Sequence, residues 1–296
     1  MKLACSSLFV PEDSYRIKLA RVDRWGYDGI EVRLEESESL PREVAEIEEA
    51  LANSPIRVSS VIVRSPAYSA TLDSKDAKRA KLASAKIALE VGARLGAGVI
   101  LQPEYQAQIP LPLFDPPEPL TVRERDLLLS FLEEIAELAE KASAIALLEP
   151  INRYETHYYH RLEEAMALCD RVGSTRIKIC ADFFHMNIEE RDIAASIERA
   201  AGYIYHVQLG DSNRRLPGQG HIDFQSGFAA LRRIGYERFM SLECMIPSEP
   251  DEELPKCARY LCQCIKDSAD TQAGADTKTT SSLHNCDTHA TAGQTH

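Results

Sequence analysis

The sequence predicts a (β/α)8 barrel, because short apolar runs alternate with amphipathic, charge-rich segments along the chain. Eight runs are typical of buried strands, and eight segments have the character of helices. The length of 296 residues is sufficient for one domain of this size. A doubly wound open sheet is the alternative, but the segment after the first strand, CSSLFVPEDS, lacks the glycine-rich phosphate turn of that fold.

The strand candidates are apolar runs rich in Val, Ile and Leu, and turn-forming or charged residues bound them. In chain order they are KLACSS, GIEVRL, IRVSSVIV, GVILQP, IALLEP, RIKICADF, YIYHVQL and FMSLEC.

The helical segments between these strands end in a characteristic way, since a glycine often closes the segment just before the next strand. Glycine is favoured there because it adopts the left-handed conformation that ends a helix. The closing glycines are Gly26, Gly96, Gly173, Gly202 and Gly235. The segments are 13–25, 41–53, 74–96, 121–143, 161–172, 189–201, 224–235 and 251–266.

Two segments depart from the alternating pattern. The proline-rich stretch 102–120 follows the fourth strand and is long for a strand-to-helix loop, so it is either a lid over the site or an exposed decoration. Residues 268–296 are mostly small and polar and cannot bury enough apolar surface to fold, which predicts a disordered tail. The expected domain organisation is therefore a barrel over 1–267 and a tail over 268–296.

The charge and composition of the chain exclude several classes of function. A net charge of −12 argues against nucleic-acid binding, which requires basic surfaces. No apolar stretch is long enough to cross a membrane, and the first residues do not resemble a signal peptide, so a cytoplasmic protein is expected. The eight cysteines include no C-x-x-C pair, which argues against a zinc framework.

Four late strands end in side chains that can bind a metal ion. Glu149, Asp182 and Glu243 come at the ends of three of them. His206 and Gln208 lie near the end of the fourth. In a barrel these ends surround one mouth, where the carboxylates would repel one another unless a divalent cation held them together. Separate ion pairs with nearby Arg or Lys residues are the alternative.

The donor atoms at these positions indicate which metal to expect. Carboxylate and amide oxygens suit Mn²⁺, Mg²⁺ or Co²⁺ better than a zinc site rich in thiolates. His206 and Gln208 are two positions apart and therefore share one face of their strand. Either residue could be the fourth ligand, although histidine is the commoner metal-binding side chain.

The second half of the chain resembles the sugar phosphate isomerase/epimerase superfamily, whose fold is a xylose-isomerase-like barrel. The resemblance rests on EPINRYET, ADFFHMNIEE, HVQLGDSNRRLPGQGHIDF and GYERFMSLEC, and it covers Glu149 to Cys244. Within the superfamily these segments are most similar to the ketose 3-epimerases and the 5-keto-L-gluconate epimerase type. Hydroxypyruvate isomerases are more distant relatives.

The resemblance implies a role for each of several residues. It implies Glu149, Asp182, Gln208 and Glu243 as metal ligands. It also implies His185 and Arg214 as substrate contacts and Glu155 as a partner of the substrate hydroxyls or of these residues. The chain departs from the epimerases in having Gln208 where they usually have histidine. Hydroxypyruvate-isomerase-like relatives have glutamine there, so Gln208 is the expected fourth ligand.

The function implied is that of a metal-dependent isomerase or epimerase of carbohydrate metabolism, acting on a ketose or keto-sugar acid. Glu149 and Glu243 form the expected acid–base pair, which moves a proton beside the carbonyl through an enediolate. Mn²⁺ is the expected cofactor, with Co²⁺ or Mg²⁺ as alternatives. A hydroxypyruvate or aldose–ketose isomerase and a non-catalytic sugar-binding protein remain the alternative functions. The expected partner is a small sugar or keto-acid, without nucleic acid or membrane, and homo-oligomerisation stays open.

Overall fold

The structure, a computed structural model, describes residues 1–11, 14–69, 72, 74–101 and 120–281. Eight parallel strands form a closed barrel in which each strand pairs with its neighbours in the sequence, and the last strand pairs with the first. The predicted fold class is therefore confirmed.

All eight predicted strands are present, and their bounds fall within or close to the predicted runs. They are β1 (Lys2–Ser6), β2 (Gly29–Glu35), β3 (Arg57–Arg64), β4 (Gly98–Leu101), β5 (Ala146–Leu148), β6 (Ile177–Asp182), β7 (Ile204–Leu209) and β8 (Phe239–Leu242).

The helices surround the barrel, and each of the eight predicted helical segments contains one. The helices are α1 (Tyr15–Arg24), α2 (Leu40–Ala52), α3 (Lys75–Leu95), α4 (Val122–Ala142), α5 (Leu162–Val172), α6 (Phe183–Glu189), α7 (Ile193–Arg199), α8 (Phe224–Arg233) and α9 (Pro250–Ser281). The short α6 follows β6 without a connecting loop and does not correspond to any predicted segment.

The two faces of each strand pack in different environments. The outward side chains pack against the helices and form the main apolar core. Inside the barrel, a small apolar cluster of Ile62, Ile100, Leu147 and Cys180 fills the centre. Beyond this cluster the interior becomes polar, because the inward positions nearer the carboxyl ends of the strands carry charged and amide side chains. This polar layer is where the candidate site lies.

The C-terminal part of the chain continues in helical conformation past the predicted domain boundary at residue 267. Ser268 is fully buried, and its hydroxyl donates to the backbone oxygen of Ile265 at 2.7 Å and accepts from Arg232 at 3.4 Å. The packed part of the protein thus extends at least one residue beyond the predicted boundary. Residues 282–296 and 102–119 lie outside the described residues, so the tail and the lid remain predictions.

None of the described helices combines the length and the apolar composition that a membrane span requires.

Candidate active site

Two carboxylates and an imidazole lie together inside the barrel mouth. Glu149 directly follows β5 and points inward because it shares the face of Leu147, two residues earlier. Asp182 is the last residue of β6, and His185 lies one turn later in α6. The ligand atoms of these three buried residues lie within 4.8 Å of one another. The structure therefore brings Glu149 and Asp182 together, as expected.

Glu243 joins this group from the other side of the mouth. It follows β8, and its backbone nitrogen donates to the backbone oxygen of Leu209 at 3.0 Å, so β7 fixes its position. The backbone after β8 can approach residue 210 closely because that residue is glycine. A Cβ there would lie 2.8 Å from the backbone oxygen of Glu243.

Each carboxylate destabilises the ionised form of its neighbours. Burial and the neighbouring Glu243 and Asp182 raise the pKa of Glu149 well above its usual range. Burial, opposed by Arg214 and reinforced by Glu243, raises the pKa of Asp182 to about 7. A cluster of this kind keeps its negative charge at neutral pH most easily when a cation binds between the groups.

Two buried oxygens show that the cluster fits a divalent cation. Oδ2 of Asp182 and Oε2 of Glu243 have no hydrogen-bond partner among the described residues. Buried polar atoms are rarely left unpaired, and such atoms commonly mark the place of an ion or a water molecule. The three carboxylates supply hard oxygen donors, which are the ligands that Mg²⁺ and Mn²⁺ prefer.

Gln208 lies on β7 beside Asp182, which is its register partner on β6. Its side chain is fully buried, and its amide nitrogen donates to Glu31 at 3.1 Å. The amide oxygen accepts a weak hydrogen bond from the Cys180 thiol at 3.3 Å. The reverse amide orientation would set the oxygen against the Glu31 carboxylate, so the nitrogen is the atom that faces Glu31 and the oxygen is the atom that faces Cys180. Its role as fourth ligand remains a prediction.

His185 lies in the first turn of α6, a helix that corresponds to no predicted segment. The helix begins there since Oδ1 of Asp182 accepts from the backbone nitrogens of Phe184 at 2.6 Å and His185 at 3.4 Å. Sequence reasoning treated Asp182 only as a metal ligand and overlooked its second role as a helix cap.

Hydrogen-bond donors face both ring nitrogens of His185. The backbone nitrogen of Asn152 lies 3.2 Å from Nδ1, and Nη1 of Arg214 lies 3.2 Å from Nε2. Burial and the charge of Arg214 lower the pKa of His185 to about 3, so the ring is neutral. Nε2 lies 3.8 Å from Glu149 and 3.9 Å from Asp182. His185 therefore contacts Arg214 and also belongs to the group of side chains that could hold a metal ion.

Arg214 reaches the same space in a strained backbone conformation, with a φ of 58°. Its guanidinium lies 3.7 Å from Glu243, 3.8 Å from Glu155 and 4.4 Å from the centre of the Phe184 ring. The structure thus gathers Arg214, Glu155 and Glu243 at one side of the mouth. Glu155 is itself oriented by the side chain of Asn152, which donates to it at 2.9 Å.

Two charged residues of β2 were missed by the sequence analysis. Glu31 is fully buried, and Arg33, two residues later on the same inward face, donates to Glu31 at 3.3 Å and also to Glu243. His206, whose role was left open, lies 3.5 Å from Glu31. The signal was the alternation of Glu31 and Arg33 in GIEVRL, because charges two positions apart in an apolar strand share one face.

These contacts fix the charge of Glu31 and Arg33. Burial acts to raise the pKa of Glu31, but His206 and Arg33 outweigh it and lower the pKa to about 2. Burial likewise opposes the charge of Arg33, but Glu243 and Glu31 raise its pKa above the usual range. Both groups are therefore ionised at neutral pH.

Comparison with known proteins gives a family match over most of the chain. Residues 19–264 match the family described as xylose isomerase-like TIM barrel. The chain is 38% identical over 125 residues to an L-ribulose 3-epimerase of Mesorhizobium japonicum, covering 42% of each protein. It is 39% identical over 106 residues to a D-psicose 3-epimerase of Enterocloster bolteae, covering 36% of this chain and 35% of that protein. The matched segments thus span less than half of these relatives.

Other comparisons extend this similarity. The chain is 30% identical over 126 residues to the 3-dehydro-D-guloside 4-epimerase of Escherichia coli, covering 43% of this chain and 48% of that protein. Among solved structures, the 3-keto-D-glucoside 4-epimerase from E. coli has a TM-score of 0.79 at 22% identity, covering 89% of this chain and 100% of that chain. This structural likeness concerns the fold alone.

Proposed function

The chain belongs to the xylose isomerase-like TIM barrel family, and on this premise we propose that it is a divalent-metal-dependent sugar epimerase that inverts C3 of a ketose. The observation that carries the proposal is that Glu149 and Glu243 lie at the same mouth of the barrel, with Asp182 beside both. The relatives named L-ribulose 3-epimerase and D-psicose 3-epimerase support C3 as the reacting carbon.

The metal would be held by Glu149, Asp182 and Glu243, with the amide oxygen of Gln208 as fourth ligand. Mn²⁺ is the ion we propose, and Co²⁺ and Mg²⁺ suit the same oxygen donors. When bound, the ion supplies Lewis-acid stabilisation of negative charge on the substrate oxygens.

The two glutamates would carry out the proton transfer. They come from β5 and β8, with β6 and β7 between them in the closed barrel, so they approach a bound sugar from different directions. One glutamate takes the C3 proton and an enediolate forms. The other gives a proton to the opposite face of C3, which inverts the centre.

His185, Arg214 and Glu155 would orient the sugar. The imidazole of His185 hydrogen-bonds a substrate oxygen, and the guanidinium of Arg214 stabilises negative charge beside it. Glu155, in contact range of Arg214, accepts from a hydroxyl of the substrate. A cytoplasmic location remains part of the proposal.

The proposal is tested by proton exchange in D₂O. The purified protein with Mn²⁺ is incubated with D-psicose, D-fructose, L-ribulose and hydroxypyruvate, and the products are analysed by NMR. We expect deuterium at C3 in an inverted ketose. An aldose product with deuterium at C2, formed by loss of the C1 proton and addition of a deuteron to the former carbonyl carbon, would instead identify an isomerase. Metal binding without exchange from any of these compounds would favour a sugar-binding protein.

A 4-epimerase acting on a keto-glycoside is the second candidate. The relative named 3-dehydro-D-guloside 4-epimerase favours it, because a carbonyl at C3 makes the C4 proton acidic in the same way. Incubation with a 3-keto-glucoside would then place deuterium at C4.

A further inference from the structure

We propose that Arg33 is a positioning residue that holds Glu243 in the orientation required for proton transfer. This inference rests on the proposed function and deepens it, because it assigns a role to a residue from the first half of the chain. Arg33 lies on β2, some 210 positions from Glu243 in the sequence. The closed barrel brings them together, since β1 lies between β2 and β8.

The guanidinium of Arg33 connects two carboxylates. Its Nη2 donates to Oε1 of Glu243, and its Nε donates to Oε1 of Glu31 at 3.3 Å. The side chain is only 11% exposed, and its backbone nitrogen donates to the Ser7 hydroxyl at 3.0 Å. Because guanidinium is planar and its donors are fixed in direction, a pairing at two edges restricts how it can turn.

Glu31 is in turn fixed from two other strands. Its Oε2 accepts from the Ser60 hydroxyl of β3 at 2.9 Å and from the Gln208 amide of β7 at 3.1 Å. His206 of β7 lies 3.5 Å from the same oxygen. Contacts from β3 and β7 therefore determine the position of Glu31, and Glu31 determines that of Arg33.

The buried contacts of Arg33 are better explained by a role in orienting Glu243 than by a contribution to the stability of the fold. An ion pair inside a protein contributes little net stability compared with apolar side chains of the same volume. Arg33 holds Oε1 of Glu243, whereas Oε2 makes no hydrogen bond among the described residues and lies 3.7 Å from the guanidinium of Arg214. Arg214 is a proposed substrate contact, so Oε2 lies on the side of Glu243 where the sugar would bind.

The proposed role of Arg33 predicts that its substitution affects hydrogen exchange from the two epimers unequally. In one epimer the C3 proton faces Glu149, and in the other it faces Glu243. Exchange from the first epimer needs only Glu149, which takes the proton, exchanges it with solvent and returns a deuteron to the same face. Epimerisation in either direction needs Glu243, and so does exchange from the second epimer.

The experiment compares exchange with epimerisation in Arg33→Gln, using D-psicose and D-fructose with Mn²⁺ in D₂O. We expect kcat for epimerisation to fall about 100-fold, as expected for a misplaced catalytic group. Deuterium exchange from one of the two sugars should stay close to the wild-type rate. Arg33→Lys keeps the charge but not the planar fork, so it should recover part of the loss.

The matched control is Arg64→Gln on the neighbouring strand, because Arg64 pairs with Glu35 at the surface and is 64% exposed. This variant should behave as the wild type. Thermal unfolding establishes that each variant is folded, and Arg33→Lys provides the same comparison if Arg33→Gln does not fold.

Two results would overturn the role of Arg33 while leaving the proposed function intact. They are an unchanged rate of epimerisation, and a parallel loss of exchange and epimerisation from both sugars, which would mean a general effect on the site. Wild-type protein that exchanges no C3 proton would overturn the proposed function and the role of Arg33 together.

Discussion

Glu149 and Glu243 are the residues on which the proposed proton transfer depends, and single substitutions test them separately. Glu149→Gln and Glu243→Gln keep the shape of each side chain but remove the base. We expect each change to lower kcat for epimerisation by about 100- to 10,000-fold, the usual contribution of a general acid or base. Glu137→Gln, at an exposed position of α4, is the control and should keep full activity. An active variant at either site residue would remove it from the pair.

Asp182 makes a prediction about stability in the absence of metal. The pKa of its carboxyl is about 7 in the folded protein and 3.8 in the reference state, so the folded form binds the proton more tightly. Stability therefore falls as pH rises from about 4 to 7, by about 4 kcal/mol in total for a shift of this size. Asp182→Asn should remove this part of the pH dependence, as measured by urea unfolding of metal-free protein at pH 5 and pH 8. If the free energy of unfolding changes by the same amount between pH 5 and pH 8 in both proteins, this prediction is contradicted.

The ends of the strands were predictable residue by residue, whereas the partners of those residues were not. Glu149, Asp182 and Glu243 each interrupt an apolar run, and burying a charge at such a position costs free energy unless the charge is compensated. The pairing of Arg33 with Glu243 depends on closure of the barrel, and no local pattern encodes a contact between residues so far apart. The contact between Nε2 of His185 and Arg214 joins two separate segments of the chain, and no local pattern of the sequence shows it.

At the scale of elements, α6 sets the position of His185, and α8 supports α6. Phe183 of α6 is stacked on Phe224 and also packs against Phe228, with ring centres 5.7 Å and 6.0 Å away. Gly227 lies beneath the same ring, and a Cβ there would come within 2.4 Å of it. The sequence analysis recognised α8 by its amphipathic pattern. It missed α6 because seven residues are too few for a clear period and no turn separates them from β6.

Gly227→Ala should therefore disturb α6 and the site through it. The added methyl group displaces Phe183, and we expect a loss of about 1–3 kcal/mol in the free energy of unfolding, as for other overpacked cores. KM for the ketose should rise, because His185 moves with the helix. Ser226→Ala, at an exposed position of the same helix, is the matched control. Stability and KM equal to those of the wild type would show that α6 does not depend on this contact.

At the scale of the whole molecule, the barrel brings carboxylates from three strands to one place, where Arg33 and Arg214 compensate their charges only in part. Binding of a cation to the folded state alone should therefore stabilise the protein. At a free Mn²⁺ concentration of 100 times Kd, the gain is about 2.7 kcal/mol. We expect EDTA to lower Tm and Mn²⁺ to restore it, with a smaller rise for Asp182→Asn. A Tm that does not respond to EDTA or to Mn²⁺ would contradict a metal site in this cluster.

The central claim is that one divalent ion is bound by Glu149, Asp182, Glu243 and Gln208, so that the two glutamates act on one sugar. Anomalous diffraction from crystals grown with Mn²⁺ tests it most directly. We predict a single strong peak within about 2.0–2.6 Å of one oxygen from each of these four side chains, the range for hard cations with oxygen ligands. A peak elsewhere, or one bound by Nε2 of His185 without Glu243, would contradict the account.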